Sequence, residues 1–250
     1  MAGTAVQRRL TWTVSEVVGL VVETPEAASI TLSSPGWDGH LPGQHIDLRL
    51  TAEDGYQAQR SYSIATPADG ELVTITVERL EDGEVSSYLL EELRVGDSLE
   101  IRGPIGGYFV WEPTLGGPLQ LIGGGSGVVP LMAMLRARVL AESDIPVRYL
   151  TSTRTKQMIL YRSELDRLAA ETDGVEVVHT LTRAVPEGWG GLTGRLDESA
   201  LEQHVWPVGK QPLCYVCGPT GFVETVASTL VALGHAPERI RTERFGPTGG

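Results

Sequence analysis

The sequence predicts a two-domain fold in which an N-terminal antiparallel β-barrel precedes a C-terminal α/β domain with a parallel sheet. The first half of the chain alternates apolar and polar residues between closely spaced turn signals, which is typical of antiparallel strands. The second half alternates continuous apolar runs with segments of helical periodicity, which is typical of a parallel sheet. The pattern changes near residues 113–118, so we expect domains at residues 1–114 and 115–250.

The barrel strands are predicted from period-two alternation. Every second residue is apolar in the runs HIDLRLT (45–51) and LVTITVE (72–78), and SLEIRGP and GYFVWE continue the pattern. Asp-Gly and Pro-Gly turn signals separate the runs, and VSSYLLEEL predicts one short helix with Ser86 or Ser87 near its start. Short strands with frequent turns indicate a small antiparallel barrel.

The α/β domain is predicted from four strand–helix pairs. The strand-like runs are LQLIGG, PVRYLTS, VEVVHTL and PLCYVCG. The helical segments that follow them are VVPLMAMLRARVLAE, QMILYRSELDRLAAE, DESALEQHV and TGFVETVASTLVALG. Such an alternation predicts a parallel sheet that is covered by helices on both faces.

Composition limits the classes of function. The chain has 250 residues, of which 41% are hydrophobic, so it can bury a substantial core. Its formal net charge of −12 argues against a surface for nucleic acid or anionic membranes. No run approaches the ~18 apolar residues of a membrane helix, and the first ten residues lack the apolar core of a signal peptide. We therefore expect a cytoplasmic protein.

The two cysteines, Cys214 and Cys217, have a CxxC spacing that also occurs in metal and redox sites. They lie in a strand-like run, where residues three apart point to opposite faces, so we favour buried core cysteines over a pair of ligands. Two thiolates cannot hold an iron–sulfur cluster, which normally takes four. The five histidines are scattered, and we expect no metal site.

A glycine-rich turn connects the first strand and the first helix of the α/β domain. It consists of Gly123, Gly124, Gly125, Ser126 and Gly127. Glycines let the backbone approach a ligand closely, and the N–H groups at a helix start favour a phosphate. The spacing is GxGxxP, with Pro130 in the helix, and not the GxGxxG of the dinucleotide fingerprint. The turn predicts a dinucleotide phosphate site; the alternative is a tight βα turn without a ligand.

The second strand of that domain bears on nucleotide preference. Ser152, Arg154 and Lys156 follow it, and the first acid is Glu164. An acid near this strand usually binds the ribose 2′-hydroxyl of NAD, whereas arginine favours the 2′-phosphate of NADP. The residues therefore predict a preference for NADPH, unless they form only a solvated loop.

The stretch RSYS in the barrel predicts a second ligand. The guanidinium of Arg60 suits phosphate, Tyr62 can lie against a flat ring, and Ser63 can donate to a ring nitrogen. Ser86 lies at a turn-to-helix junction, where its hydroxyl and backbone N–H suit a second phosphate contact. Ahead of a nucleotide-binding domain, this combination predicts a flavin cradle.

Six motifs, in order, resemble the ferredoxin–NADP(+) reductase superfamily. They are RSYS, GxVSxxL (83–89), GPIGGYF, GGGSGVVP, CGPTGFV and ERF. The match that they belong to covers nearly the whole chain, from about Trp12 to Phe245. Within that superfamily the chain looks like the stand-alone bacterial FAD-binding reductases and the reductase halves of Rieske-oxygenase reductases. The resemblance implies FAD on the barrel and NADPH, with NADH possible, on the α/β domain.

The resemblance implies roles for individual barrel residues. Arg60 would bind the FAD pyrophosphate, Tyr62 would pack on the isoalloxazine ring, and Ser63 would hydrogen-bond near flavin N5. His45 would neighbour the flavin, although core packing is equally compatible with the sequence. The full set implied for FAD is His45, Arg60, Ser61, Tyr62, Ser63, Gly83, Glu84, Val85 and Ser86.

In the α/β domain, the residues implied for the dinucleotide are Gly123, Gly124, Gly125, Ser126, Gly127, Ser152, Arg154, Lys156, Cys217, Gly218 and Pro219. The set implied for catalysis is Ser63, Cys217, Glu243 and Phe245. Plant-type reductases end in an aromatic residue that stacks on the flavin, whereas this chain continues past Phe245. The sequence therefore leaves open whether Phe245 stacks.

The resemblance implies that NAD(P)H delivers a hydride to flavin N5 and that electrons then leave one at a time. Because the cysteine count provides no [2Fe–2S] domain, we expect the acceptor to be a separate ferredoxin or other iron–sulfur protein. Two alternatives stay open. One is a reductase of free flavin, ferric chelates or quinones, and the other is a non-catalytic electron-transfer subunit of a larger complex.

Overall fold

The computed structural model describes residues 10–80 and 82–246. Most of the N-terminal stretch from which we predicted the lack of a signal peptide lies outside these residues. The described chain forms two six-stranded sheets, one antiparallel and one parallel, in the predicted order. The predicted fold class is therefore confirmed.

The first sheet forms the barrel domain. Its strands are β1 (Thr13–Thr24), β2 (Ala27–Ser33), β3 (His45–Thr51), β4 (Gln57–Ser63), β5 (Leu72–Glu78) and β6 (Ser98–Ile105). They are arranged in the order β4-β3-β6-β1-β2-β5, and neighbouring strands are antiparallel. Helix α1 (Glu84–Glu91) follows β5, as VSSYLLEEL predicts. Alternate residues of the strands fill the barrel core, among them Ile46, Leu48, Val73 and Ile75.

The second sheet belongs to the α/β domain. Its strands are β7 (Leu119–Gly124), β8 (Val147–Thr155), β9 (Val175–Ala184), β10 (Leu192–Thr193), β11 (Leu213–Pro219) and β12 (Ile240–Phe245). They are parallel and lie in the order β10-β9-β8-β7-β11-β12. The helices are α2 (Val128–Leu140), α3 (Arg162–Glu171), α4 (Glu198–His204) and α5 (Thr220–Ala232). Apolar clusters cover both faces, so β7 is buried along its whole length.

Cys214 and Cys217 are free thiols, and both are buried. Cys217 belongs to the core cluster on one face of the parallel sheet, and Cys214 to the cluster on the other face. The prediction of two separate core cysteines is confirmed.

Two predicted elements differ from the structure. GYFVWE (107–112) forms no strand, because Phe109 and Trp111 bury their rings in a core that they share with the α/β domain. Its backbone forms hydrogen bonds with side chains of that domain and not with a neighbouring strand. For example, Tyr215 Oη donates to the Val110 carbonyl at 2.8 Å. Helix α3 begins at Arg162 and not at Gln157, because Tyr161 adopts a left-handed φ of 55° that ends the preceding turn.

The two domains share a packed interface. Phe109 meets Tyr215 edge-on, with ring centroids 5.4 Å apart, and the Arg136 guanidinium donates to the Ala65 carbonyl at 2.8 Å. Tyr161 Oη donates to Thr76 Oγ1 at 2.5 Å. The predicted boundary between residues 114 and 115 falls in the connection from β6 to β7 and stays a prediction.

Candidate active site between the two sheets

The candidate site lies where the ends of strands from both domains meet. A cleft of about 850 Å³ opens there. The barrel side of its lining consists of Glu26, Glu78, Arg79 and Leu80, and the α/β side consists of Gly124, Gly125, Ser152, Thr153, Arg154, Met158, Thr182, Pro219, Phe245 and Gly246. The cleft therefore brings residues of the glycine turn, the end of β8 and the last strand to one place.

The RSYS stretch forms the end of β4, and its residues alternate between two faces. Arg60 and Tyr62 lie opposite the core residues Leu48 and Ile46 of β3. The Arg60 side chain is exposed and donates to the Gln59 carbonyl at 2.6 Å, which leaves other donors of its guanidinium free. Burial raises the pKa of Tyr62 to about 12, so its hydroxyl stays protonated near neutral pH.

The other face of β4 carries Ser61 and Ser63. Ser61 lies opposite Asp47, and its hydroxyl donates to Asp47 Oδ1 at 2.7 Å, so that side chain is engaged within the barrel. Ser63 lies opposite His45 at the end of the β3–β4 ladder. His45 is therefore partly exposed at the strand end, and not sealed in the barrel core.

Glu243 of β12 completes a polar cluster with His45 and Ser63. His45 Nδ1 lies 3.8 Å from Glu243 Oε1. Burial raises the pKa of Glu243 to about 7, and its Oε2 has no hydrogen-bond partner among the described residues. Burial also lowers the pKa of His45, partly offset by Asp47. The cluster can therefore hold or release a proton near neutral pH.

Cys217 lies beside this cluster. It is the register partner of Glu243 in the β11–β12 pair and of Gly123 in the β11–β7 pair. Burial, and then the charge of Glu243, raise the pKa of its thiol well above the usual value. The thiol is therefore neutral near pH 7, and Gly218 and Pro219 continue β11 to the cleft.

Two glycines of the turn approach β11 and α5 so closely that a side chain at either position is excluded. A Cβ on Gly127 would lie 2.2 Å from the Cys217 carbonyl oxygen, and one on Gly124 would lie 2.9 Å from the Phe222 ring. Gly125 has a left-handed φ of 55°, which glycine adopts without strain. The turn then leads into α2 with no side-chain cap, so backbone N–H groups face the cleft end of the helix.

The start of α1 forms a second group of backbone donors. The N-cap is Gly83, and the N–H groups of Glu84 and Val85 have no partner within the helix. The Ser86 hydroxyl accepts the Leu80 N–H and donates to the Gly83 carbonyl, both at 3.1 Å. This hydroxyl is therefore engaged in the turn, and the backbone N–H groups are the free donors there.

The predicted nucleotide-preference residues lie around the end of β8. Ser152 and Arg154 line the cleft, and the Arg154 side chain is exposed. Lys156 begins a short 3₁₀ turn and is not part of the lining. The structure therefore brings two of the three predicted residues to the cleft.

The cleft also contains residues that sequence reasoning missed, namely Glu26, Glu78, Arg79 and Thr182. For Glu78 a signal was present, because it ends the alternating run LVTITVE on the polar face. Nothing local in the sequence marks the other three.

The residues present fit a flavin and a nicotinamide dinucleotide. Free backbone donors at the start of α1 suit one phosphate group, and Arg60 adds a cationic fork beside the barrel. The Ser126 N–H, just before α2, suits a second phosphate group and donates to Glu78 Oε2 in this structure. The unpartnered Oε2 of Glu243 indicates a polar ligand at the meeting point of the domains.

We predict that Glu243→Gln stabilises the protein more at pH 8 than at pH 5. The pKa of Glu243 is about 7 in the folded state and near 4.5 when unfolded, so ionisation costs folding free energy as pH rises through this window. The variant's advantage in urea-unfolding free energy should grow by about 1–3 kcal/mol between the two pH values.

The control is Glu224→Gln, an exposed glutamate of α5, whose effect should be the same at both pH values. An advantage of Glu243→Gln that stays constant or shrinks with rising pH would contradict the assignment of a buried, neutral carboxyl group.

Comparisons with known proteins match both domains. The family described as oxidoreductase FAD-binding domain matches residues 26–110, and the family described as oxidoreductase NAD-binding domain matches residues 121–228. Among the described residues, no helix has the length and apolar character needed to cross a membrane.

Individual relatives support the same placement. A flavohemoprotein of Pseudomonas putida is 34% identical over 208 residues, which cover 82% of this chain and 51% of that protein. The glycine betaine monooxygenase reductase subunit of Chromohalobacter salexigens is 33% identical over 210 residues, which cover 83% of this chain and 56% of the subunit. The chain thus spans about half the length of these relatives.

A solved structure matches nearly end to end. The FAD/NAD-binding domain of nitric oxide dioxygenase from Vibrio cholerae aligns with a TM-score of 0.83 and 29% identity, covering 94% of this chain and 99% of that domain. An FAD-binding and an NAD-binding oxidoreductase domain thus follow one another in the order and geometry that the sequence motifs imply. The chain belongs to the ferredoxin–NADP(+) reductase superfamily of FAD-dependent NAD(P)H oxidoreductases.

Proposed function

We propose that the chain takes electrons from NADPH through FAD and passes them singly to a separate iron–sulfur protein of the ferredoxin type. In this proposal residues 1–114 form the FAD-binding domain and residues 115–250 the NADPH-binding domain. NADH is a possible second donor.

One observation carries the proposal: polar groups of both domains converge on one point. Ser63 and His45 come from the barrel, and Cys217 and Glu243 come from adjacent strands of the α/β sheet. Electron transfer between two cofactors, each held by its own domain, needs such a shared point because the reacting atoms must be aligned at close range.

Arg60 and the start of α1 support the FAD assignment. The exposed guanidinium and the free N–H groups of Glu84 and Val85 can together bind a pyrophosphate, and half-buried Tyr62 can offer its ring to a flat ligand. When bound, FAD supplies the hydride acceptor and the one-electron donor, which no side chain can supply.

Glu243 and His45 support a role in proton handling. Since the pKa of Glu243 is about 7, its carboxyl group can gain or lose a proton at working pH, and His45 lies within 3.8 Å to share it. Ser63, directly opposite His45, can position a hydrogen bond toward a ligand at the same point.

Ser152 and Arg154 support NADPH over NADH. Both line the cleft at the end of β8, and the Arg154 fork suits a 2′-phosphate. No acid occurs between Thr151 and Ser163 to bind a ribose 2′-hydroxyl instead.

The choice of acceptor is supported by the relative from Chromohalobacter salexigens, whose name describes the reductase subunit of a monooxygenase. A protein of that kind hands electrons to another component, which agrees with an acceptor outside this chain.

We predict that Arg60→Ala weakens FAD retention. Loss of a charge-assisted hydrogen bond to a phosphate costs about 1.5–3 kcal/mol, so the dissociation constant for FAD should rise by ~10–100-fold. The measurement is FAD bound per chain after gel filtration, and Arg60→Lys should give an intermediate value because it keeps charge but loses the fork.

Arg195→Ala, which removes an exposed arginine of the α/β domain, serves as the matched control and should retain FAD fully. Full FAD occupancy in Arg60→Ala would exclude the phosphate role of Arg60.

The acceptor is tested by NADPH-driven turnover with a [2Fe–2S] ferredoxin, dissolved flavin, a ferric chelate and a quinone, each at matched concentration. We expect the ferredoxin to be reduced with the highest kcat/KM. Faster turnover with dissolved flavin, ferric chelate or quinone would replace the ferredoxin assignment with a small-molecule reductase. Flavin reduction without turnover of any acceptor would favour an electron-transfer subunit of a larger complex.

A further inference from the structure

Glu78 ends strand β5, and the alternation of that strand decides where its side chain points. Val73, Ile75 and Val77 are fully buried in the barrel core. Successive side chains of a strand point to opposite faces, so Glu78 shares the outer face with Thr76. Thr76 on that face accepts the hydroxyl of Tyr161 at 2.5 Å, which fixes the face against the α/β domain.

The Glu78 carboxylate contacts the glycine turn. The Ser126 N–H donates to Glu78 Oε2 at 3.1 Å. A Cβ built on the neighbouring Gly125 would lie 3.6 Å from the same oxygen. The carboxylate therefore occupies, from the barrel side, the backbone donor at the start of α2 that suits a phosphate oxygen.

Among residues 10–80 and 82–246, no ion pair neutralises this carboxylate, although the exposed Arg154 lines the same cleft. The adjacent Arg79 forms its ion pair with Glu91, at 2.6 Å, and a second carboxylate, Glu26, lines the same cleft. The Ser126 N–H is the one hydrogen-bond donor to Glu78 found within residues 10–80 and 82–246. A phosphate group that approaches the turn is therefore repelled by the Glu78 carboxylate, which already accepts the hydrogen bond from the Ser126 N–H.

We propose that Glu78 is an affinity-setting gate of the dinucleotide site, which the phosphates of NADP(H) must displace from the Ser126 N–H. This inference rests on the proposed function of the glycine turn. The Glu78 carboxylate and a phosphate cannot share one N–H donor, and two anions at that distance repel each other. The gate therefore weakens the binding of dinucleotide and speeds its release, while it ties β5 to the turn when no dinucleotide is bound.

The test is an equilibrium titration of the purified FAD-containing protein with NADP+, measured by isothermal titration calorimetry. Inorganic pyrophosphate is titrated separately as a second probe. Glu78→Gln should lower the dissociation constant of both ligands by about 10-fold, equivalent to ~1.4 kcal/mol, because it removes the competing charge. Glu26→Gln removes the same charge from the same cleft without touching the turn, so its effect should stay below about two-fold.

The variant Glu78→Asp separates the effect of the hydrogen bond to the Ser126 N–H from the effect of the negative charge. It keeps the carboxylate but shortens the side chain by one methylene, so it should lose the Ser126 contact and lower the dissociation constant in the direction of Glu78→Gln. FAD content and the unfolding midpoint confirm that each variant is folded.

Equal effects of Glu78→Gln and Glu26→Gln would overturn the gate in favour of general electrostatics. Weaker binding in Glu78→Gln would overturn it by making Glu78 a ligand of the dinucleotide. If NADPH reduces the flavin normally and Glu78→Gln binds NADP+ like the wild type, the gate alone fails. If the wild type neither binds NADP+ nor is reduced by NADPH or NADH, the proposed function fails and the gate with it.

Discussion

The close approach of the glycine turn to the backbone of β11 is the constraint on which the candidate site depends. There is no room for a side chain at Gly127, where a Cβ would lie 2.2 Å from the Cys217 carbonyl. This approach fixes the start of α2 next to the end of β11, and the parallel register of β11 with β12 then sets Glu243 beside Cys217. This backbone contact thus sets the position of the N–H groups at the start of α2 relative to Cys217 and Glu243.

The barrel contributes the other half of the site through its strand ends. The β3–β4 ladder places Ser63 opposite His45, and the domain interface carries His45 to within 3.8 Å of Glu243. That interface is held by the shared burial of Phe109 and Trp111 and by hydrogen bonds from Arg136 and Tyr161. Burial raises the pKa of Glu243 to about 7, and His45 of the barrel lies 3.8 Å from its carboxyl group. Proton transfer between His45 and Glu243 in the proposed reaction therefore depends on the packing that brings the two domains together.

Much of the fold could be predicted because its signals are local. Period-two alternation marks β3 and β5 at the residues where the structure has them, and the buried run LQLIGG marks β7. The prediction of a strand at GYFVWE was wrong. The same alternation arises there because Phe109 and Trp111 bury their rings against the α/β domain, without a neighbouring strand. The start of α3 was missed because the left-handed turn at Tyr161 leaves the apolar run Ile159–Leu160 outside the helix.

The sequence motifs predict individual residues of the candidate site, but they do not predict which of these residues contact one another. The motifs pointed to Ser63, Glu243 and the glycine turn, but no sequence pattern states that His45 meets Glu243 or that Glu78 holds the Ser126 N–H. Those pairs join distant stretches of chain across a domain interface, so tertiary packing alone brings them together. The assignment of each residue to FAD or to the dinucleotide stays a prediction that mutagenesis can decide.

The most direct test of the proposed electron transfer from NADPH to FAD is anaerobic reduction of the purified protein. We predict that the protein carries FAD, and that NADPH bleaches the visible flavin absorption stoichiometrically and faster than NADH does. A protein that binds no FAD, or whose bound flavin is bleached by neither dinucleotide, would contradict it.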